Sequence, residues 1–453
     1  MTDRLVVVGG DAGGMTAAAQ ARRRRPDPGD LSIVAFERGE HTSYSACGIP
    51  YYVGDLVHHA DDLVARTPSE HRRRGIEMHT RHEVTAIDVD RRSVRVRDLE
   101  AGGAERDVGF DGLVIATGAV PLRPDIDGID AAGVHGVQTL ADGIALREMI
   151  DAERPRRAVV VGGGYIGLEL AESLVQREIE VALVEKLAQP MSTLDEDMGA
   201  LVADALQGVG VDLLLGVGVE AFDVSDGRVR AVVTDARTLP TDLVVLGLGV
   251  VPEVGLARAA RVRIGETGGV ATDAGMATSA EGVWAAGDCV ETWHRVTRKP
   301  TRIALGTHAN KQGRVAGINA TGGAARFPGV IGTAVSKICD YEVARTGLGA
   351  REAADAGFDA VAATIESTTR AGYYPDAGPI TVKLVAERGS GRVLGGQIVG
   401  REGAAKRIDV VATAVWNEMT AEEVLGLDLS YAPPFSPLWD PVLSAARKLV
   451  DGG

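Results

Sequence analysis

Apolar residues in this chain come in short runs that end at glycine. RLVVVGG is a β-branched run closed by Gly9 and Gly10, and DAGGM then leads into the alanine-rich TAAAQARRRR. The pattern predicts a strand, a glycine-rich turn and a helix. A second strand follows in LSIVAFE, ending at Glu37. The same order returns in RAVVVGGGYIGLELAESLVQREIEVALVEK, where the second strand ends at Glu185. DGLVIATGAVP, from Asp111 to Pro121, reads as a buried strand entering a Thr-Gly turn, and GVWAAGDCVE, from Gly282 to Glu291, as a short strand ending in Ala-Ala-Gly-Asp. From about Val330 the pattern changes. Alternating apolar stretches such as PITVKLVAE and GRVLGGQIVG precede a helix from Ala404.

The length of 453 residues exceeds one core and predicts two to four domains. Many glycines (58) with few aromatics (4%) favour α/β domains with tight phosphate loops over an aromatic-rich sandwich. A formal net charge of -15 argues against general affinity for nucleic acid or anionic membrane. Cys47, Cys289 and Cys339 are too few and too scattered for a disulfide scaffold or a zinc site, so no metal is expected. No signal-peptide pattern opens the chain and no apolar stretch reaches the ~20 residues of a membrane span. These features together predict a cytoplasmic protein.

The two strand–turn–helix units carry the chemistry of dinucleotide binding. Glycines let the backbone approach a pyrophosphate, the helix N-terminus presents free N–H groups, and an acid ending the next strand accepts from ribose hydroxyls. In the first unit Gly9, Gly13, Gly14 and Glu37 fill these roles, with Asp11 at the middle glycine position. An anionic Asp11 facing a pyrophosphate is unfavourable, so its side chain is expected to point away. In the second, Gly162, Gly164 and Gly167 complete G-x-G-x-x-G and Glu185 supplies the acid. Glu185 favours NADH, because a 2′-phosphate would be repelled; the neighbouring Lys186 leaves NADPH open. Thr117 and Gly118 in the Thr-Gly turn and Gly287 and Asp288 in the late strand suit a flavin, Asp288 through its ribityl chain.

With these segments in order, the chain resembles the two-dinucleotide flavoprotein disulfide reductases over nearly its whole length. The resemblance implies an α/β fold class: two Rossmann-like dinucleotide-binding domains, for FAD and NAD, plus a C-terminal α+β dimerisation domain. It implies a discontinuous FAD-binding domain over 1–117 and 242–325, an NAD(P)H-binding domain over 118–241 and a dimerisation domain over 326–453. TDLVVLGLGVVPEV looks like the return crossover, and TRIALGTHANKQGRVAGINATGG resembles the helix that ends the FAD domain. Arg38, Tyr165 and Ile166 join the cofactor-binding set by the same resemblance.

TSYSACGIPYYVG decides the branch. Glutathione- and lipoamide-type reductases carry C-x-x-x-x-C, but no second cysteine follows Cys47, and no His follows His308 to act as their C-terminal acid. Ser43-Tyr44-x-x-Cys47 resembles the S-F-x-x-C motif of the single-cysteine branch, which holds coenzyme A disulfide reductases, NADH oxidases and NADH peroxidases. A thiolate there is active when a helix N-terminus or a cation lowers its pKa. Ala12 stands where the peroxide-handling enzymes carry His. LSYAPPFSPLWDPVLSAA resembles the tail of coenzyme A disulfide reductases, where a partner-subunit tyrosine reaches the cysteine. Tyr431 matches it, and Tyr374 is preferred to Tyr373 as a second tyrosine. Ser43 and Arg22 are expected to contact substrate, with the basic runs ARRRRP and HRRRG as further candidates for its phosphates. The resemblance therefore implies a homodimer with active sites at the subunit interface. Electrons pass from NADH (NADPH possible) through FAD to a Cys47 mixed disulfide, and the substrate is a small disulfide, foremost coenzyme A disulfide. An NADH oxidase, a persulfide or polysulfide reductase, and a flavin-bound redox sensor remain open.

Overall fold

A computed structural model describes residues 3–452. The first β-branched run forms the strand Asp3–Val8 at the centre of a five-stranded sheet. Leu31–Phe36 and Gly112–Ile115 pair parallel on its two sides, with Glu77–His79 beyond the first and Val283–Ala285 beyond the second. These central strands are buried on both faces, as parallel strands covered by helices must be. Two helices, Ala12–Arg24 and Gly306–Asn319, pack closely on this sheet. Glycine permits the approach: a Cβ on Gly313 or Gly317 would stand 2.2 Å from the carbonyl oxygens of Gly13 and Ala17. Residues nearly 300 apart in sequence thereby meet at the first glycine loop.

The second unit builds an independent parallel sheet, in the order Asp212–Leu215, Glu180–Glu185, Arg157–Val161, Leu243–Leu246 and Val134–Gly136. Leu243–Leu246 corrects the expected boundary at 242. That strand pairs with Arg157–Val161, so it completes the second domain. The chain returns to the first domain only after the antiparallel pair Ala119–Pro121 and Val250–Pro252, which links the two. An apolar run bounded by glycine looks alike in either sheet, and pairing alone assigns it.

The last domain is a five-stranded antiparallel sheet, in the order Ala334–Ile338, Tyr341–Gly347, Val393–Gly400, Pro379–Glu387 and Ala360–Thr368. The helices Ile408–Trp416 and Pro441–Asp451 cover it. Its start also lies later than 326, since Phe327 and Val330 pack in the first core. Lys383, nearly buried, binds Asp195 at 3.0 Å and Asp197 at 2.7 Å, tying this sheet to the second domain. No helix among the described residues is long and apolar enough to cross a membrane.

Candidate active site

Both glycine loops have the same local build. Gly9 and Gly162 adopt φ of +111° and +106°, open only to glycine at no cost. A Cβ on Gly14 would lie 2.1 Å from Gly9 O, and one on Gly167 2.0 Å from Gly162 O. The strand-ending acids match too. Glu37 Oε2 accepts from Gly10 N–H at 2.8 Å and its Oε1 from Gly39 N–H at 2.8 Å. Glu185 Oε2 accepts from Gly163 N–H at 2.6 Å and its Oε1 from Leu187 N–H at 2.7 Å. Each carboxylate is held at the mouth of its loop, where a ribose would lie. Arg38 is exposed beside Glu37, as is Lys186 beside Glu185.

The loops leave room for two dinucleotides. A Cβ on Gly118 or Gly164 would touch nothing within 4 Å, and one on Gly287 only Ala309 at 3.7 Å. Asp288 is half-buried, caps no helix and makes no hydrogen bond among the described residues; burial raises its pKa. An unpartnered carboxylate in a roomy cleft fits a group that brings hydroxyls, as a flavin ribityl chain does. The residues present fit FAD in the first loop and a nicotinamide dinucleotide in the second. Thr117 is differently employed: its hydroxyl donates to Glu253 O at 2.5 Å, bracing the domain linker. The Tyr165 hydroxyl bonds Thr193, while Ile166 is left exposed at the helix start.

Cys47 is exposed, in a single 3-10 turn, Ala46–Gly48, that runs into the short helix Ile49–Val53. Ser45 O accepts from Gly48 N–H at 2.9 Å to close the turn. Burial of its surroundings and the charges of Glu169, Asp288 and Asp11 push the Cys47 thiol up. This corrects the expectation of a thiolate favoured by a cation or a helix end. In this chain the groups facing the sulfur are acids, and a turn this short presents little dipole. The acids disfavour one another as well. Burial, then Glu37, raises Asp11 to about 7, even though the backbone N–H groups of Ala12 and Tyr44 donate to it. Asp11 therefore stays within the cleft region rather than pointing away. The raised pKa makes it neutral more readily, which eases the conflict with a phosphate.

Glu169 was not anticipated from the sequence. It follows Tyr165 by four residues on the helix Tyr165–Gln176, hence on the same face, and that spacing was the available signal. Its Oε1 accepts from Ser336 Oγ at 2.6 Å, and burial raises its pKa. The second domain thus reaches the thiol of the first.

Other residues singled out in the sequence take these places. Arg22 is 8% exposed, and its guanidinium donates to Arg25 O, Leu31 O and Gly75 O at 2.8–3.0 Å, so it braces the fold; its Nε is buried and has no partner among the described residues. Most of its run is also engaged within the chain, Arg24 with Thr321 and Arg25 with Asp3. Tyr373, the neighbour of Tyr374, has its hydroxyl hydrogen-bonded to that of Tyr431. Ser43 stands between the first loop and the HRRRG segment, its Oγ 2.9 Å from His71 Nε2.

Residues 3–313 match the model of the pyridine nucleotide-disulphide oxidoreductases, and residues 333–441 match their dimerisation domain. The chain belongs to the pyridine nucleotide-disulphide oxidoreductases. As an enzyme of that family it is similar to the NAD(P)H sulfur oxidoreductase (CoA-dependent) of Pyrococcus abyssi, at 39% identity over 98% of both chains. An NAD-dependent persulfide reductase from A. fulgidus is 41% identical, with a TM-score of 0.95 covering 99% of this chain and 84% of that one. The reduced CoADR-RHD of Bacillus anthracis is 34% identical, with a TM-score of 0.94 over 100% and 81%. Membership of this oxidoreductase family implies FAD and NAD(P)H as its dinucleotides.

Proposed function

We propose that the protein is a homodimeric NAD(P)H-dependent reductase that cleaves the S–S bond of a coenzyme A-linked disulfide or persulfide at Cys47. One observation carries this reading. Cys47 is the exposed thiol among the described residues, while Cys289 and Cys339 are buried. Cys289 Sγ is turned to Ala286 O and Ile115 O, and burial and Glu172 push Cys339 up to about 11. With no thiol available to pair with Cys47 in its own chain, the second sulfur belongs to the substrate.

Cys47 attacks a disulfide RS–SR′ to form Cys47–S–S–R and expel R′S⁻; for a persulfide, R′ is hydrogen and hydrosulfide leaves. The partner subunit's Tyr431, aligned by its hydrogen bond to Tyr373, holds or protonates the leaving sulfur. FAD, which Gly9, Gly14, Glu37 and Asp288 would hold, would supply the two electrons drawn from NAD(P)H, and Cys47 would return from Cys47–S–S–R to its thiolate as RSH leaves with a proton. Glu37 and Glu185 position the two riboses, and Glu185 favours NADH over NADPH. Tyr373, Phe435 and Leu438 are each more than 70% exposed in the single chain, and Trp439 is also exposed. An apolar surface of that kind on a dimerisation domain favours a second copy as its cover.

The names of the relatives weight persulfide and polysulfide beside coenzyme A disulfide as substrate. Steady-state NADH oxidation against coenzyme A disulfide, coenzyme A persulfide, polysulfide and dioxygen separates them. Turnover confined to sulfur substrates and lost in Cys47→Ser supports the reading. Turnover with dioxygen alone, or full sulfur turnover in the variant, ends it.

A further inference from the structure

Ser43 adopts a left-handed backbone conformation, φ +52°, which a serine takes only when its surroundings hold it there. Its N–H donates to Gly10 O at 3.0 Å, and its carbonyl accepts from Ala65 N–H at 2.9 Å. The third hold is His71, 1% exposed in the helix Pro68–Arg73, whose Nε2 lies 2.9 Å from Ser43 Oγ. The other ring nitrogen, Nδ1, is buried with no hydrogen-bond partner.

That orphan settles the direction of the bond. Burial, with Arg66 and Arg74, lowers the His71 pKa against Glu70, which raises it, and so favours the neutral ring with one proton. A proton on Nδ1 would bury an N–H with no acceptor. A proton on Nε2 leaves only a lone pair unmatched, which costs less. Nε2–H is therefore the donor and Ser43 Oγ the acceptor. The Ser43 hydroxyl keeps its own proton for a different acceptor. Arg66 and Arg74 are exposed and form no ion pair among the described residues, and they face His71 together with Glu70, two cations against one carboxylate, a balance that favours an oxygen bearing negative charge.

We propose that His71 is a positioning residue. By donating to Ser43 Oγ it frees the Ser43 hydroxyl proton to bond a phosphate or carbonyl oxygen of the thiol-bearing substrate that reacts at Cys47, four residues along the chain. This rests on the reading of Cys47 as the site of S–S cleavage. The substrate, and not FAD, receives the bond.

The test compares wild type with His71→Phe, His71→Gln, Ser43→Ala and the double variant His71→Phe/Ser43→Ala. KM and kcat are measured with coenzyme A disulfide and coenzyme A persulfide, and FAD content and NADH-driven flavin bleaching are measured alongside. His71→Phe and Ser43→Ala are each expected to raise KM roughly 3- to 10-fold, the worth of one hydrogen bond, with kcat nearly unchanged. The double variant is expected to be no worse than Ser43→Ala. His71→Gln, which keeps an N–H donor, is expected to recover most of the loss. Additive losses, absence of rescue by Gln, unchanged KM, or loss of FAD in parallel with KM would overturn the proposal. A wild type that turns over neither thiol substrate removes the Cys47 reading and this inference together; normal turnover with unaffected variants removes this inference alone. Should His71→Phe fail to fold, ¹⁵N NMR of the wild type decides. A proton on Nε2 supports the proposal, and one on Nδ1 overturns it.

Discussion

The hydroxyl of Tyr431 is hydrogen-bonded to that of Tyr373, and neither is hydrogen-bonded to Cys47 among the described residues. Tyr373 is 78% and Tyr431 45% exposed, so the pair is presented outward from the dimerisation domain. A donor held at its hydroxyl by a second tyrosine and left open to solvent suits a site completed by another subunit. Tyr431→Phe is expected to lower sulfur-substrate turnover by about 10- to 100-fold with flavin reduction unchanged, and Tyr373→Phe by less. Mixing Cys47→Ser with Tyr431→Phe subunits is expected to restore activity, because one site in each heterodimer keeps both groups. Heterodimers that regain nothing would place Tyr431 in packing.

Cys47 and Glu169 interact across two domains, the acid raising the thiol. A raised thiol pKa means that alkylation of Cys47 by iodoacetamide in the FAD-free protein keeps accelerating above the ordinary cysteine range. Glu169→Gln removes one negative charge and is expected to move that midpoint down. An unmoved midpoint would mean that burial, Asp288 and Asp11 set it without Glu169.

Asp11 gives the protein a pH dependence whose sign follows from its pKa. At about 7 its folded value lies above that of an ordinary carboxylate. Below about pH 4 the group is protonated in both folded and unfolded chains and contributes nothing. Between about 4 and 7 the unfolded chain ionises first, so stability of the FAD-free protein falls as pH rises, and above 7 the loss is complete. Asp11→Asn is expected to flatten this part of the Tm–pH curve and to raise Tm at pH 8. A variant curve parallel to wild type would mean that Asp11 is solvated.

Glu185 has both carboxylate oxygens engaged with backbone N–H groups, so its charge is fixed in place at the loop mouth. NADH is expected to bleach the flavin faster than NADPH, and Glu185→Ala to narrow the ratio by roughly tenfold, the effect of about 1.4 kcal/mol. Equal rates in the wild type would show that Lys186 governs the pocket.

The loop of Gly162, Gly164, Gly167 and Glu185 was legible because the features that mark it are local. The turn, the helix start and the end of the next strand lie within about 25 residues, and backbone sterics dictate which residue types serve. The run Arg22 to Arg25 was misread because charge shows in a sequence and its partners do not. Arg22 meets Leu31 and Gly75 only once the sheet forms. Leu243–Leu246 was given to the wrong sheet for a related reason, since an apolar strand carries no mark of its neighbour.

The sequence by itself determined two strand–glycine-turn–helix units, a cysteine with no second cysteine near it in the chain and a separate C-terminal domain, all of which depend on residue types at short spacing. Only the tertiary structure decided what surrounds that cysteine. Asp11, Glu169 and Asp288 come from three distant segments, and burial gathers their carboxylates near one sulfur and raises its pKa. It also decided that Tyr373 meets Tyr431, and that His71 stands behind Ser43. Electrostatic and hydrogen-bond partnership falls off within a few ångströms, and proximity on that scale is set by packing, to which sequence separation is no guide.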